Sequence, residues 1–274
     1  MMSLRKYLVS VSVATLALGV PSGKAAEDTL SKIKEKGTMV VGLSATYEPW
    51  EFMDGQTIAG FDPELSHKLA AALGVKAELV DTDWTGVIPA FYAGNFDVII
   101  SAMSVSSERL SKVLFTQPYE VHTNYLVAKD KNIKSAAELE GKIIASVSTD
   151  ADQEILEHWK SLGHEFKDIL FLGTQQEAFL AVEAGRADAA IAAYGIARDY
   201  AEKRGYSFVE GWGPMKYTAI AVRNEDEALC KALDAEITKL KASGELAELY
   251  GKWFKMPAME DKNLPEYKVC EQGQ

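Results

Sequence analysis

The stretch GFDPELSHKLAAALGV, Gly60 to Val75, followed after KAELV by DTDWTGVIPAFYAGNFDVIISAMSVSSER, Asp81 to Arg109, decides the fold. Leu65, Leu69, Ala70 and Leu73 recur at spacings of three and four, which predicts one apolar helix face closed by Gly74. Phe96 to Ile100 is a short, β-branched run of the kind that becomes a buried parallel strand. Helical stretches alternate with such runs, so an α/β sheet is expected, with ligands bound at the carboxyl ends of its strands. Ser101 to Arg109 lies just past one such end.

Working outward, short words recur along the chain. They are Gly60-Phe61-Asp62, Asp83-Trp84-x-Gly86-x-Ile88-Pro89-Ala90, Gly94-x-Phe96-Asp97 and Ser104-x-Ser106-x-Glu108-Arg109. Further on come Phe115-x-x-Pro118-Tyr119, Gly185-Arg186-x-Asp188-Ala189 and Tyr250-Gly251-Lys252-Trp253-Phe254. In order and spacing the chain resembles the amino-acid-binding family of bacterial periplasmic solute-binding proteins, the receptors of ABC importers. The resemblance implies a two-lobed α/β fold of the type II periplasmic-binding-protein kind, each lobe a sheet flanked by helices, joined by two crossing strands. On that pattern residues 27–122 with 218–274 form the first lobe and 123–217 the second. The family is usually monomeric.

The N-terminus reads as a secretory signal over residues 1–26. Arg5 and Lys6 precede an apolar stretch from Leu8 to Val20, and small residues close it, with cleavage after Ala25 or Ala26. The stretch is too short for a comfortable membrane span, so a periplasmic protein is expected. Loss of Arg5, Lys6 and Lys24 takes the formal charge from −11 to −14. Such acidity argues against nucleic acid or an anionic membrane as partner. Cys230 and Cys270 are the two cysteines. In an oxidising compartment a disulfide is the first reading, two free thiols the second. A metal site would need more ligands than His67, His122, His158 and His164 supply at their spacings. No cofactor is expected.

Beyond residue 109 the patterns give an extended run from Tyr119 to Ala128, then a second βα series. Its strands are expected at 142–146, 169–172 and 187–192, with helices at 151–162 and 177–184. Tyr217 to Val222 is again extended, followed by helices at 226–242 and 245–254.

A cleft for a small zwitterion needs partners for a carboxylate, an ammonium and a side chain. Arg109 suits the carboxylate, because a guanidinium can clamp one through two parallel hydrogen bonds. Ser106 or Ser107 can cap the helix that carries it. The resemblance adds Ser101, Ala102 and Ser104 on the same loop, with Ala102 as a carbonyl acceptor. It also adds Tyr47 and Trp84 as rings over the ligand, with Trp50 a weaker candidate. In the second lobe Ser148-Thr149-Asp150 precedes a helix whose N-terminus would favour an anion. Either Thr149 or Asp150 holds the contact position, and Asp150 could instead cap the helix with Gln153. The family's α-amino-acid binders carry an aspartate five residues after the one matching Asp188; here that position is Ala193. A buried ammonium without an anionic partner is costly, so the ligand's amine must be held another way or be absent.

The expected function is therefore binding rather than catalysis. The ligand is a polar amino acid or a related, possibly opine-like, amine-carboxylate, handed to an ABC permease in the inner membrane. The alternatives are a periplasmic cyclohexadienyl or arogenate dehydratase-like enzyme on the same scaffold, and a ligand-sensing receptor.

Overall fold

The computed structural model describes residues 28–147, 150–209, 215–255, 257–258 and 267–271. The expected signal segment, residues 1–26, and Ser148 and Thr149 lie outside them.

The chain opens with α1 (Thr29–Lys36), capped by the Asp28 side chain, and β1 (Thr38–Leu43). The stretch from Ala45 to Asp54 reads in sequence as a loop. It instead contributes β2 (Thr46–Tyr47) and β3 (Glu51–Asp54), which pair with β4 (Thr57–Ala59) in a small three-stranded sheet. Then come α2 (Phe61–Ala72), β5 (Lys76–Asp81), α3 (Val87–Tyr92), β6 (Val98–Ile99), α4 (Ser107–Leu110) and β7 (Leu114–Phe115). The apolar spacing of α2 works as expected: Leu65, Leu69 and Ala70 are fully buried. Gly60 precedes this helix at φ 132°, and a Cβ there would meet the Trp50 carbonyl oxygen at 2.2 Å. Only glycine lets the two backbones approach so closely.

A second series follows: β8 (Glu120–Ala128), β9 (Ile143–Val147), α5 (Asp150–Ser161), β10 (Asp168–Leu172), α6 (Gln175–Glu183) and β11 (Ala189–Ala193). Next are α7 (Tyr194–Arg204), β12 (Ser207–Val209) and β13 (Met215–Thr218). The chain ends through β14 (Ala221–Val222), α8 (Glu227–Ser243) and α9 (Glu245–Phe254). The expected single run from Tyr217 to Val222 is thus two strands. Between them the Ala219 N–H turns to the Met103 carbonyl at 3.1 Å.

Two larger sheets result. The first runs β5-β1-β6-β14-β7, with β6 parallel to β1 and β14 antiparallel to both its neighbours. The second runs β10-β9-β11-β8-β12, with β13 also paired to β8. The strands β8 and β13 lie antiparallel, Glu120 opposite Thr218 and His122 opposite Lys216, and they carry the chain out to the second sheet and back. This is the two-lobed type II architecture.

Each sheet is covered on both faces. On the first, Met39, Val41, Phe61, Leu65, Leu233 and Tyr250 make one core and Val40, Phe91, Phe96 and Ile99 the other. On the second, Val127, Phe179 and Ala190 oppose Leu126, Ile144, Trp159 and Ile191. That division follows the alternation of strand side chains. Each large apolar side chain so buried contributes about 1.5–3 kcal/mol. Cys230 on α8 is bonded to Cys270, 40 residues on. The Cys270 N–H donates to the Phe115 carbonyl at 2.8 Å, which lays the C-terminal residues along the outer strand β7.

Candidate functional site

The loop leaving β6 is bent sharply. Ala102 sits at φ 43°, a left-handed conformation that costs a residue with a Cβ, and its N–H donates to Asp62 Oδ2 at 2.5 Å. Ser101 Oγ donates to Glu51 Oε1 at 2.9 Å and accepts from the Ser44 N–H at 3.0 Å. Ser104 forms an isolated bridge with Thr218. Ser106 caps α4, its hydroxyl accepting from the Arg109 N–H at 3.3 Å. The Arg109 side chain folds back so that Nη1 donates to the Ser104 carbonyl at 2.8 Å, while its guanidinium lies 5.3 Å from the Trp84 ring centroid. Arg109 is only 3% exposed. Such a guanidinium is pre-oriented, so little entropy is lost when it clamps a carboxylate.

Beneath this loop lie two buried acids, Glu51 and Asp62, hydrogen-bonded to each other. Burial pushes both carboxyl groups up, Glu51 most, and the charge of Asp62 raises it further. Glu51 Oε2 and Asp62 Oδ1 find no donor elsewhere, so a proton shared between them completes both. Tyr119 donates to Asp62 Oδ2 at 3.0 Å. Burial raises Asp62 to about 7, and the Ala102 N–H and the Tyr119 hydroxyl both donate to its Oδ2.

The floor is the polar face of the β8–β13 ribbon. His122 Nδ1 lies 2.8 Å from Glu120 Oε2, which also accepts from the Thr218 hydroxyl at 2.9 Å. His122, Asn124 and Lys216 line the cavity and are all nearly buried. The opposite wall comes from Val147, Gly173, Thr174 and Gln175. Thr174 caps α6, and the Gly173 and Thr174 N–H groups both donate to Glu177 Oε2 at 3.0 Å. Those amides are already occupied by the chain's own carboxylate. Gln175 Nε2 is fixed to the Ile191 carbonyl at 2.9 Å. The cavity volume is about 80 Å³, several times what one water needs.

Six of the residues picked from sequence meet around this cavity: Tyr47, Trp84, Ser101, Ala102, Ser104 and Arg109. Tyr47 stacks on Trp50 with ring centroids 4.8 Å apart. Trp50 itself is 1% exposed and packs edge-on against Phe254, so it supports the wall from behind. Thr149 lies outside the described residues, and of Asp150 only the backbone, at the start of α5, is described. Ala193 is fully buried among apolar side chains and is not among the cavity's lining residues. Sequence reading passed over Ser44, Thr46, Glu51, His122, Asn124, Lys216 and the Gly173–Gln175 turn. Gly173-Thr174 before Glu177 was a legible capping box; nothing in the local pattern around Lys216 turns it inward. Among the described residues no cluster of His, Cys, Asp or Glu could hold a metal ion, and no helix is long and apolar enough to cross a membrane.

Two α/β lobes joined by paired strands, with a small polar and aromatic cavity between them, define a type II periplasmic-binding-protein fold. Residues 39–256 match the model of the bacterial extracellular solute-binding proteins, family 3, and the chain belongs to that family. The L-cystine-binding protein TcyJ of Escherichia coli (strain K12) is 30% identical over 259 residues, 91% of this chain and 95% of that protein. The arginine-binding extracellular protein ArtP of Bacillus subtilis (strain 168) is 27% identical, covering 92% and 98%. Among solved structures, the ancestral amino acid-binding protein AncCDT-1, a precursor of cyclohexadienyl dehydratase, matches with a TM-score of 0.73 and 33% identity. The match covers 83% of this chain and all of that one. The P235GK mutant of ArgBP from T. maritima matches with a TM-score of 0.71, also at 33% identity, over 83% and 99%.

Proposed function

We propose that this protein is the exported, periplasmic receptor of an ABC importer, and that it encloses an amino acid or related amine-carboxylate between its lobes. The observation that carries this reading is the buried Arg109, anchored to the Ser104 carbonyl and set against Trp84 in the interlobe cavity. The relatives' printed names, cystine- and arginine-binding, support the ligand class. Arg109 clamps the ligand's carboxylate. Ala102 and Ser104 complete the contact through main-chain groups and a hydroxyl, with Ser101 beside them. Tyr47 and Trp84 cover the ligand's stem. At the start of α5, Thr149 or Asp150 faces the ligand from the second lobe. Ala193 leaves that lobe without the usual carboxylate for an α-ammonium. The lobes are residues 27–122 with 218–274 and residues 123–217, and they hinge on the β8–β13 ribbon as a monomer.

A thermal-shift screen against amino acids, opines, betaines and polyamines tests the reading, with Arg109→Ala as control. A ligand at a hundredfold its Kd stabilises by about 2.7 kcal/mol. Carboxylates are expected to raise the melting temperature of the wild type and not of the variant. If no carboxylate does so, the reading fails.

One observation favours a second reading, a dehydratase-like enzyme. Glu51 lines the cavity as a carboxyl that burial keeps protonated, and such chemistry needs a general acid. Its proton, however, is engaged with Asp62 behind the wall. Turnover of arogenate by the wild type, lost in Glu51→Gln, would establish the enzyme and displace the receptor.

A further inference from the structure

His122 is only 4% exposed, yet it lines the interlobe cavity from β8, one of the two strands that join the lobes. Its ring is held on two sides. Nδ1 lies 2.8 Å from Glu120 Oε2, and the ring sits against Trp50 with centroids 5.5 Å apart. The same Glu120 oxygen accepts from the Thr218 hydroxyl at 2.9 Å, so β13 fixes the carboxylate that fixes the imidazole. An ionised carboxylate only accepts, and the bond made by one ring nitrogen sets the state of the other. Nδ1 is therefore the protonated nitrogen, and Nε2 carries a lone pair.

Among the described residues no donor reaches that lone pair. Glu120 and Thr218 both meet the ring at Nδ1, and Trp50 is a ring contact. Lys216, opposite His122 on β13, is not one of its hydrogen-bond partners. A buried acceptor left without a donor is costly, and this one belongs to a residue of the cavity wall. Behind the ring, Glu120 Oε1 finds no donor either. A buried carboxylate so placed is stabilised by positive charge on the far side of the imidazole.

From the unpartnered Nε2 in the cavity and the carboxylate behind its ring, we infer that His122 binds the ligand by accepting an N–H from its amine. Glu120 is the positioning residue that sets the tautomer. This rests on the receptor reading above and deepens it: the amine that Ala193 cannot pair with is met from the hinge ribbon, through an imidazole backed by a carboxylate. The contact requires a donor, and positive charge alone does not satisfy it. Primary and secondary amines therefore fit, whereas a quaternary ammonium, which has no N–H, does not.

Isothermal titration of the purified protein tests the inference with L-arginine and L-glutamine, each against its des-amino and its Nα-trimethyl analogue. In the wild type the amino acid is expected to bind at least tenfold more tightly than either analogue. In His122→Phe the preference over the des-amino compound falls below threefold. In His122→Gln, whose amide oxygen restores an acceptor, it exceeds threefold again. Nitrogen NMR of the histidine rings, with His122 assigned by the signals missing from His122→Phe, reads the ligand-free wild type directly. Nδ1 is expected to be protonated and Nε2 bare, and Nε2 should shift on adding the amino acid but not its des-amino analogue. A proton already on Nε2 in the free protein overturns the inference, as does a trimethyl analogue that binds as well as the amine. An amine preference that His122→Phe leaves intact also overturns it and assigns the amine to another group, Asp150 or Glu51. Binding confined to carboxylates without an amine N–H overturns it and leaves the receptor reading standing. Absence of binding by every carboxylate in the wider screen removes the receptor reading itself.

Discussion

Glu51 and Asp62 hold the loop that follows β6, through Ser101 and the Ala102 N–H, and burial raises both carboxyl groups, which makes that loop sensitive to pH in an unusual direction. In the folded chain Glu51 keeps its proton above the ordinary carboxylate range, whereas the unfolded chain releases it near 4.5. Its contribution to stability is therefore complete below about pH 4.5 and declines as pH rises toward the folded value. Asp62 shifts in the same direction, with burial the leading cause. Glu51→Gln supplies a permanent donor to Asp62 and removes that decline. Relative to wild type, the variant's unfolding free energy is expected to improve steadily from about pH 5 to pH 8, read from urea melts at each pH. An equal pH slope in both proteins would mean that the two acids do not share a proton. Sequence reading passed over Glu51 because an acid beside Trp50 looks like a solvated loop residue. Its burial depends on a sheet, β2 to β4, whose strands are too short to show a period. By contrast, Arg109 and its serines were legible, because capping and strand-end position are local properties.

At the scale of elements, helices with an apolar face were read to within a few residues, as with α8 and α9. The helix α7 was passed over. Its sequence, YGIARDYAEKR, opens with Tyr194-Gly195 and is rich in charge, so the apolar period is weak and the glycine reads as a break. Packing against β8 supplies what the pattern lacks, since tertiary contacts override propensity. The C-terminal tail shows the opposite case: two cysteines were enough to suggest a bridge, but not where it would lie. It pins Tyr267 to Cys270 against β7, with the Tyr267 hydroxyl donating to the Thr116 carbonyl at 2.7 Å. An uncovered outer strand is a template for pairing with other chains. Cys270→Ser is expected to lower stability by roughly 4 kcal/mol on chain-entropy grounds, often less in practice. It should also increase aggregation during refolding. Guanidinium melts and light scattering, compared with the wild type under reducing and non-reducing conditions, read both. A variant as stable as the oxidised wild type would show that the tail is an ornament.

For the whole molecule, apolar packing crosses between the lobes. Ala193 and Ile196, from β11 and α7, join the cluster built around Trp50, Phe61 and Phe254. Tyr47 and Gln175 face each other across the same cleft. Two-lobed architecture was legible because seven short words fall in one order. The charge pattern of the floor was not, because it arises where strands about a hundred residues apart pair. That pairing also sets a calendar for folding. All strands of the second sheet lie within residues 120–218, one unbroken stretch. The first sheet starts at residue 38 yet cannot seat β14 between β6 and β7 until residues 221–222 exist. Contacts between distant segments close later than local ones. The half of the molecule that is made first should therefore finish last. In pulse-labelled hydrogen exchange during refolding, amides of β9 to β11 are expected to gain protection before those of β6 and β14. Until the return strand arrives, the serine loop and Arg109 have no partner strand at Thr218 to set them, so binding competence is the final event of folding.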